Sequence, residues 1–229
     1  MILKRKSEDR GHVRFPWLDG KYSFSFGSYF DPNWMGFSKL RVINEDIIDE
    51  GMGFETHPHR DMEIISFIIS GQLEHKDSMG HSRVIGPGEI QVMSAGKGVL
   101  HSEFNPSRTQ KTHSLQIWVQ PNKIGVEPNY DQFTYKEPSE GVVLLADSVG
   151  AEQVAKINQD MKLSLGVFEK SAHELSFNAQ KHYWIQVIEG EANILDDTFK
   201  AGDALGIKEE SLLSIIPLKK FKFLLFELP

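Results

Sequence analysis

Apolar residues in this chain come in short runs and in alternation, not at helical spacing. Residues 63–70 read Glu-Ile-Ile-Ser-Phe-Ile-Ile-Ser and stop at Gly71. A second short strand is predicted over 72–76, and Asp77-Ser78-Met79-Gly80 then reads as a turn. Gly86-Pro87-Gly88 is another turn and leads into a strand over 89–94. Over 114–120, Leu115, Ile117 and Val119 alternate with Ser114, Gln116 and Trp118, the pattern of a half-buried strand. Further strands are predicted over 142–146, 162–168, 183–188, 192–195, 212–216 and 221–227. One short helix is expected, over 151–159 in a linker. Many short strands with frequent turns predict an all-β sandwich or barrel.

The pattern repeats. Phe67-Ile68-Ile69-Ser70-Gly71-Gln72-Leu73-Glu74 is echoed by Gln186-Val187-Ile188-Glu189-Gly190-Glu191-Ala192-Asn193, with Gly71 and Gly190 119 residues apart. Pro87-Gly88-Glu89 is echoed by Ala201-Gly202-Asp203, at an offset of 114. Similar offsets indicate one hairpin-and-turn unit used twice. The expected domains are 1–135 and 136–229.

Composition narrows the chemistry. The 229 residues are 40% hydrophobic and carry fifteen Phe and four Trp, enough for a sizeable core. A net charge of −7 gives no phosphate attraction, so direct nucleic-acid binding is not expected. With no cysteine, disulfides, thiolate zinc sites and iron–sulfur clusters are excluded, and any metal must rest on His and carboxylates. Residues 1–19 are charged with no apolar stretch behind them, and no run approaches the roughly 20 residues of a bilayer span. A soluble cytoplasmic protein without membrane contact is expected, monomeric by default.

Two clusters carry candidate chemistry. In Thr56-His57-Pro58-His59, histidines two apart on a strand face one side and can share a metal. Pro58 lacks an N–H and predicts a strand edge. In Gly96-Lys97-Gly98-Val99-Leu100-His101-Ser102-Glu103, His101 and Glu103 repeat the spacing of two. A second carboxylate, Glu63, also lies within reach of the first cluster in sequence. His12, His75, His81, His113, His173 and His182 are read as structural or solvated, with His75 and His81 exposed on either side of a hairpin turn.

These clusters resemble the two motifs of the cupin superfamily. The first is matched by Gly51, His57, His59, Glu63 and Gly71, and the second by Gly98, His101 and Asn105, with Gly96 where a Pro is usual. Within the superfamily the chain resembles the pirin family, through Arg10-Gly11-His12, Trp17-Leu18-Asp19, Tyr29-Phe30-Asp31-Pro32, Leu40-Arg41-Val42-Ile43-Asn44, His57-Pro58-His59-Arg60-Asp61-Met62-Glu63, Glu74-His75-Lys76-Asp77-Ser78-Met79-Gly80 and Met93-Ser94-Ala95-Gly96. The likeness is close over most of the first 120 residues and looser beyond.

The resemblance implies two tandem cupin barrels (a bicupin), 1–135 metal-binding and 136–229 a cupin-like domain without ligands. It implies one divalent metal on His57, His59, His101 and Glu103, where the general cupin pattern would use Glu63 instead. Iron is the first expectation, with Mn, Ni, Co, Zn and Cu as alternatives. The implied activity is that of a quercetin 2,3-dioxygenase, which opens a flavonol ring with O2 and releases carbon monoxide, with Glu103 as catalytic base. The alternative is a metal-dependent, redox-sensing regulator acting through protein partners without catalysis.

Overall fold

The run at 63–70 folds as the strand Glu63–Ser70, in which residues 63–68 are all buried. A strand apolar on both faces belongs inside a sheet, and this one lies between Glu89–Ser94 and Thr112–Val119. The computed structural model describes residues 1–169 and 171–229. Among these residues the chain is β throughout, apart from one 3-10 turn at Ser7–Asp9.

The chain divides into two compact units. One comprises Gly11–Tyr135 and Ser148–Gln159; the other comprises Met1–Arg10, Lys136–Asp147 and Asp160–Pro229. Two segments therefore sit on the far side of a sequence division at 135/136.

In the first unit the large sheet runs Asn129–Thr134, Glu89–Ser94, Glu63–Ser70, Thr112–Val119, Leu40–Ile48, Leu18–Tyr22, Gly11–Phe15. A small sheet runs Gly53–His59, Val99–Phe104, Leu73–Asp77, Ser82–Ile85. Pro58 thus lies on an edge strand, where a residue without an N–H is tolerated.

The second unit repeats that order. Its large sheet contains Ile2–Arg5, Ala204–Lys208, His182–Glu189, Phe221–Leu228, Lys162–Phe168 and Gly141–Asp147 in succession. Its small sheet runs His173–Ser176, Leu212–Pro217, Glu191–Ile194, Asp197–Lys200. Glu63–Ser70 and His182–Glu189 correspond residue for residue at the offset of 119. The edge position that Asn129–Thr134 fills beside Glu89–Ser94 is filled in the second unit by Ile2–Arg5, beside Ala204–Lys208. That pairing is why the first ten residues belong with the later half.

The interiors differ. In the second unit Phe168, Phe177, Phe199, Phe221 and Phe223 pack with Ile185, Ile194, Leu213 and Ile215 between the two sheets. Each such buried side chain contributes about 1.5–3 kcal/mol. Ile215, fully buried, stands 114 residues after His101. The second interior is therefore an apolar core where the first carries imidazoles.

The helix expected over 151–159 is absent. Ala151 and Val154 form an isolated bridge, Ala155–Lys156 is a two-residue strand, and Gln153 has a left-handed φ of 65°. The segment's polar groups are claimed by tertiary partners: Asn158 N donates to Glu63, Asn158 O accepts from Asn122 N, and the Gln159 amide donates to Gln120 O. Tertiary bonding has overridden local helix propensity.

Candidate metal centre

Antiparallel pairing of Val99–Phe104 with Gly53–His59 sets His101 opposite His57 and Val99 opposite His59. The register slips between His101 and Glu103, bringing Glu103 opposite Phe54. A bulge of this kind re-aims side chains beside a site. Alternation puts His57 beside His59, and His101 on the face of Glu103. The ring centroids stand 4.8 Å apart for His57 and His59, 4.5 Å for His57 and His101, and 4.7 Å for His59 and His101. One ring nitrogen from each of the three falls within 4.8 Å of the others. Glu103, 2% exposed, brings a carboxylate oxygen within the same distance of nitrogens of His101 and His75. Three of the four candidate ligands thus converge, and the fourth, Glu103, lies beside His101 and shares the lining of one cavity with His57 and His59.

His57 Nδ1–H donates to the Glu55 carbonyl at 2.7 Å, which turns Nε2 toward the other rings. That Nε2 lies 3.0 Å from His101 Nε2. Burial pushes the His59 pKa down to about 4, reinforced by His101 and His57 and opposed by Glu103. Burial pushes His101 down to about 3, with His57 and His75 adding to it and Asp77 opposing. Both rings are neutral at pH 7, the state a metal requires. Converging imidazole lone pairs beside a carboxylate fit a divalent cation, which would relieve their crowding.

Glu103 is held in place. Gln116 Nε2 donates to Oε2 at 2.6 Å and Ser66 Oγ donates to Oε1 at 3.3 Å. Glu63 serves elsewhere. It is 1% exposed and accepts from Ser94 Oγ at 2.7 Å and from Asn158 N at 3.0 Å, pinning the segment that was expected to be helical. Asn105, the last residue of the second motif, donates to the carbonyls of Ile48, Asp49 and Gln110 and ties the loop after Glu103.

Two sequence expectations need correction here. His75 is not solvated. It is fully buried, with Nε2 3.0 Å from Asp77 and Nδ1 3.3 Å from His101 Nδ1. Its alternation with the buried Leu73 was the available signal. Nor do Gln116 and Trp118 stand fully in solvent; both are half-buried. They line a small cavity of about 60 Å³ with Tyr22, His57, His59 and Glu103. Trp118 meets His59 edge to face at 4.8 Å. The remaining histidines have structural partners: His12 with Asp19, His81 with Asp77, His113 with Glu45, His173 with Glu140 and His182 with the Pro229 carbonyl.

Gly96 is required by its surroundings. Its φ is +44°, and a Cβ there would stand 2.1 Å from the Val126 carbonyl oxygen. Pro, fixed near φ −65°, cannot take this position. Outside the inner cavity an open cleft of about 530 Å³ reaches His57 and His59 between Trp17, Phe26, Phe54 and Trp118.

Known proteins match both halves of the chain. The family model described as Pirin matches residues 4–119, and that of the quercetinase C-terminal cupin domain matches 144–228. The quercetin 2,3-dioxygenase of Escherichia coli (strain K12) is 43% identical over 232 residues, spanning 100% of this chain and 99% of that protein. The crystal structure of YhhW from Escherichia coli superposes with a TM-score of 0.96 at 42% identity, covering 100% of this chain and 98% of that one. A structure of the bacterial pirin YhhW in complex with nickel(II) gives 0.95 at 41% identity, covering 100% and 99%. With both halves matched and the imidazoles gathered in the first, the chain belongs to the pirin family, and its two units are the tandem cupin barrels expected from its sequence.

Proposed function

We propose that His57, His59, His101 and Glu103 hold one divalent metal, iron in the native protein, and that the chain opens flavonols with O2. The observation that carries this reading is the convergence of three imidazoles, with the Glu103 carboxylate beside His101, next to an aromatic cleft that reaches His57 and His59. A relative named quercetin 2,3-dioxygenase, 43% identical over the full length, supports it. The nickel(II) complex of a bacterial pirin supports a divalent ion.

Bound there, the metal would supply open coordination positions for substrate and oxygen. The chain's own residues do the rest. Trp17 and Phe54, edge to face at 5.2 Å, and Phe26 and Trp118, also at 5.2 Å, give the cleft rigid flat walls suited to a planar polycyclic substrate. The Glu103 carboxylate accepts the proton of the flavonol 3-hydroxyl. Gln116 and Ser66 hold that carboxylate oriented while it does so. The inner cavity, lined by Tyr22, Phe26 and Phe54 as well as the imidazoles, limits water at the reacting end.

Protein loaded in turn with Fe, Mn, Ni, Co, Zn and Cu should consume O2 and release carbon monoxide with quercetin for at least one ion. His57→Ala should abolish both. Absence of turnover with every ion would sink the dioxygenase reading, and metal-dependent capture of a protein partner would then favour the regulatory one.

A further inference from the structure

We propose that His75 and Asp77 are positioning residues that set the tautomer of His101, so that its Nε2 lone pair is presented to the metal. The inference rests on His101 being a ligand. The Asp77 side chain is fully buried. Its Oδ1 accepts from the backbone N–H groups of Met79 at 2.9 Å and His81 at 3.0 Å. Its Oδ2 lies 3.0 Å from His75 Nε2 and 3.0 Å from His81 Nδ1. Burial alone would raise the Asp77 pKa, but hydrogen bonds from His75 and His81 outweigh it and hold the carboxyl below its usual range. An ionised carboxylate only accepts, so the facing His75 Nε2 carries a proton.

In the relay His75 keeps its one proton on Nε2, facing Asp77, and turns its Nδ1 lone pair inward. Two groups approach that atom: Gln91 Nε2 at 3.4 Å and His101 Nδ1 at 3.3 Å. His101 Nδ1 must therefore be the protonated nitrogen, which leaves the lone pair on its Nε2, the atom 3.0 Å from His57 Nε2. Tyr130 packs against both His75 and His81, with centroids 4.9 and 4.8 Å away, and keeps the rings in this alignment. The relay Asp77–His75–His101 extends by one residue the common arrangement in which a carboxylate orients a metal-binding histidine.

Asp77→Asn tests the relay in a specific way. The backbone N–H groups of Met79 and His81 will claim the asparagine carbonyl oxygen, so its NH2 must face His75 Nε2. That nitrogen then becomes the acceptor, and His75 carries its proton on Nδ1, pointing at a protonated His101 Nδ1. His101 must move its proton to Nε2, where it blocks the metal. The full-length protein, wild type and Asp77→Asn, is titrated with Zn(II) and Ni(II) against a chromophoric chelator. Imidazole tautomers are read from long-range 1H–15N spectra of the metal-free and zinc-bound forms. Wild type should show His101 protonated on Nδ1 and His75 on Nε2 in both forms, and the variant should lose about 10- to 100-fold in affinity for both ions. A wild type with the His101 proton on Nε2 before metal is added overturns the proposal even if the variant does not fold. A folded variant that binds as tightly as wild type overturns it as well. Wild type that binds neither ion overturns the metal-site reading itself.

Discussion

Gln116 donates its side-chain N–H to Glu103 Oε2 across 2.6 Å, from the cavity face of a strand whose other face is core. A buried carboxylate deprived of such a donor is both misdirected and poorly solvated. Gln116→Leu should weaken metal binding about 10-fold or more and lower flavonol turnover more than flavonol affinity. Unchanged metal affinity in this variant would show that the contact does not orient the ligand.

The two buried carboxylates have separable roles. Glu63→Ala leaves the Ser94 hydroxyl and the Asn158 backbone N–H without their acceptor and should cost about 1.5–3 kcal/mol of stability, with bound metal still stoichiometric. Glu103→Ala should lose the metal at a smaller cost in folding. Elemental analysis and denaturant unfolding of both variants decide the matter, and the opposite pattern of metal loss would reverse the assignment of the two residues.

Metal-free protein should weaken as it is acidified. Folding holds His59 at about 4 and His101 at about 3, below their ordinary value of 6.5. The unfolded chain therefore binds protons that the folded chain refuses, and stability rises with pH over this interval. The contribution is complete above pH 6.5, declines below it and is fully lost once pH has fallen through about 4 and about 3. Melting temperature measured at pH 7 and pH 5 should drop, and the drop should be smaller in His59→Gln. An equal drop in both proteins would mean that the buried ring is not the group responsible.

Gly96→Ala forces a side chain into left-handed backbone, at about 1–3 kcal/mol, and adds the clash with Val126. Because Asp61 N donates to Gly96 O and Lys97 N donates to Val126 O, the strain falls on loops that flank both ligand pairs. Thermal melts should show the loss, and metal titration should show a weaker site. A variant as stable as wild type would mean that the loop has room to relax.

Much of this molecule was legible along the chain because the signals are local. Alternation and turn residues marked the strands, and a spacing of two put His57 with His59 and His101 with Glu103 on shared faces. The offset of 119 announced the second barrel. What lay beyond reach depends on which strand meets which. Register places His101 across from His57, and the fold sends Glu63 to Ser94 and Asn158 while Glu103 comes beside His101 and His75. Pairing with Ala204–Lys208 assigns the first ten residues to the later unit. Closure of two sheets around one cavity turns Gln116 and His75, polar residues in a one-dimensional pattern, into partners of the centre, the first half-buried and the second fully buried. A strand's period says which side chains share a face; only the packing of the sheets says whether that face meets water, apolar core or a metal site.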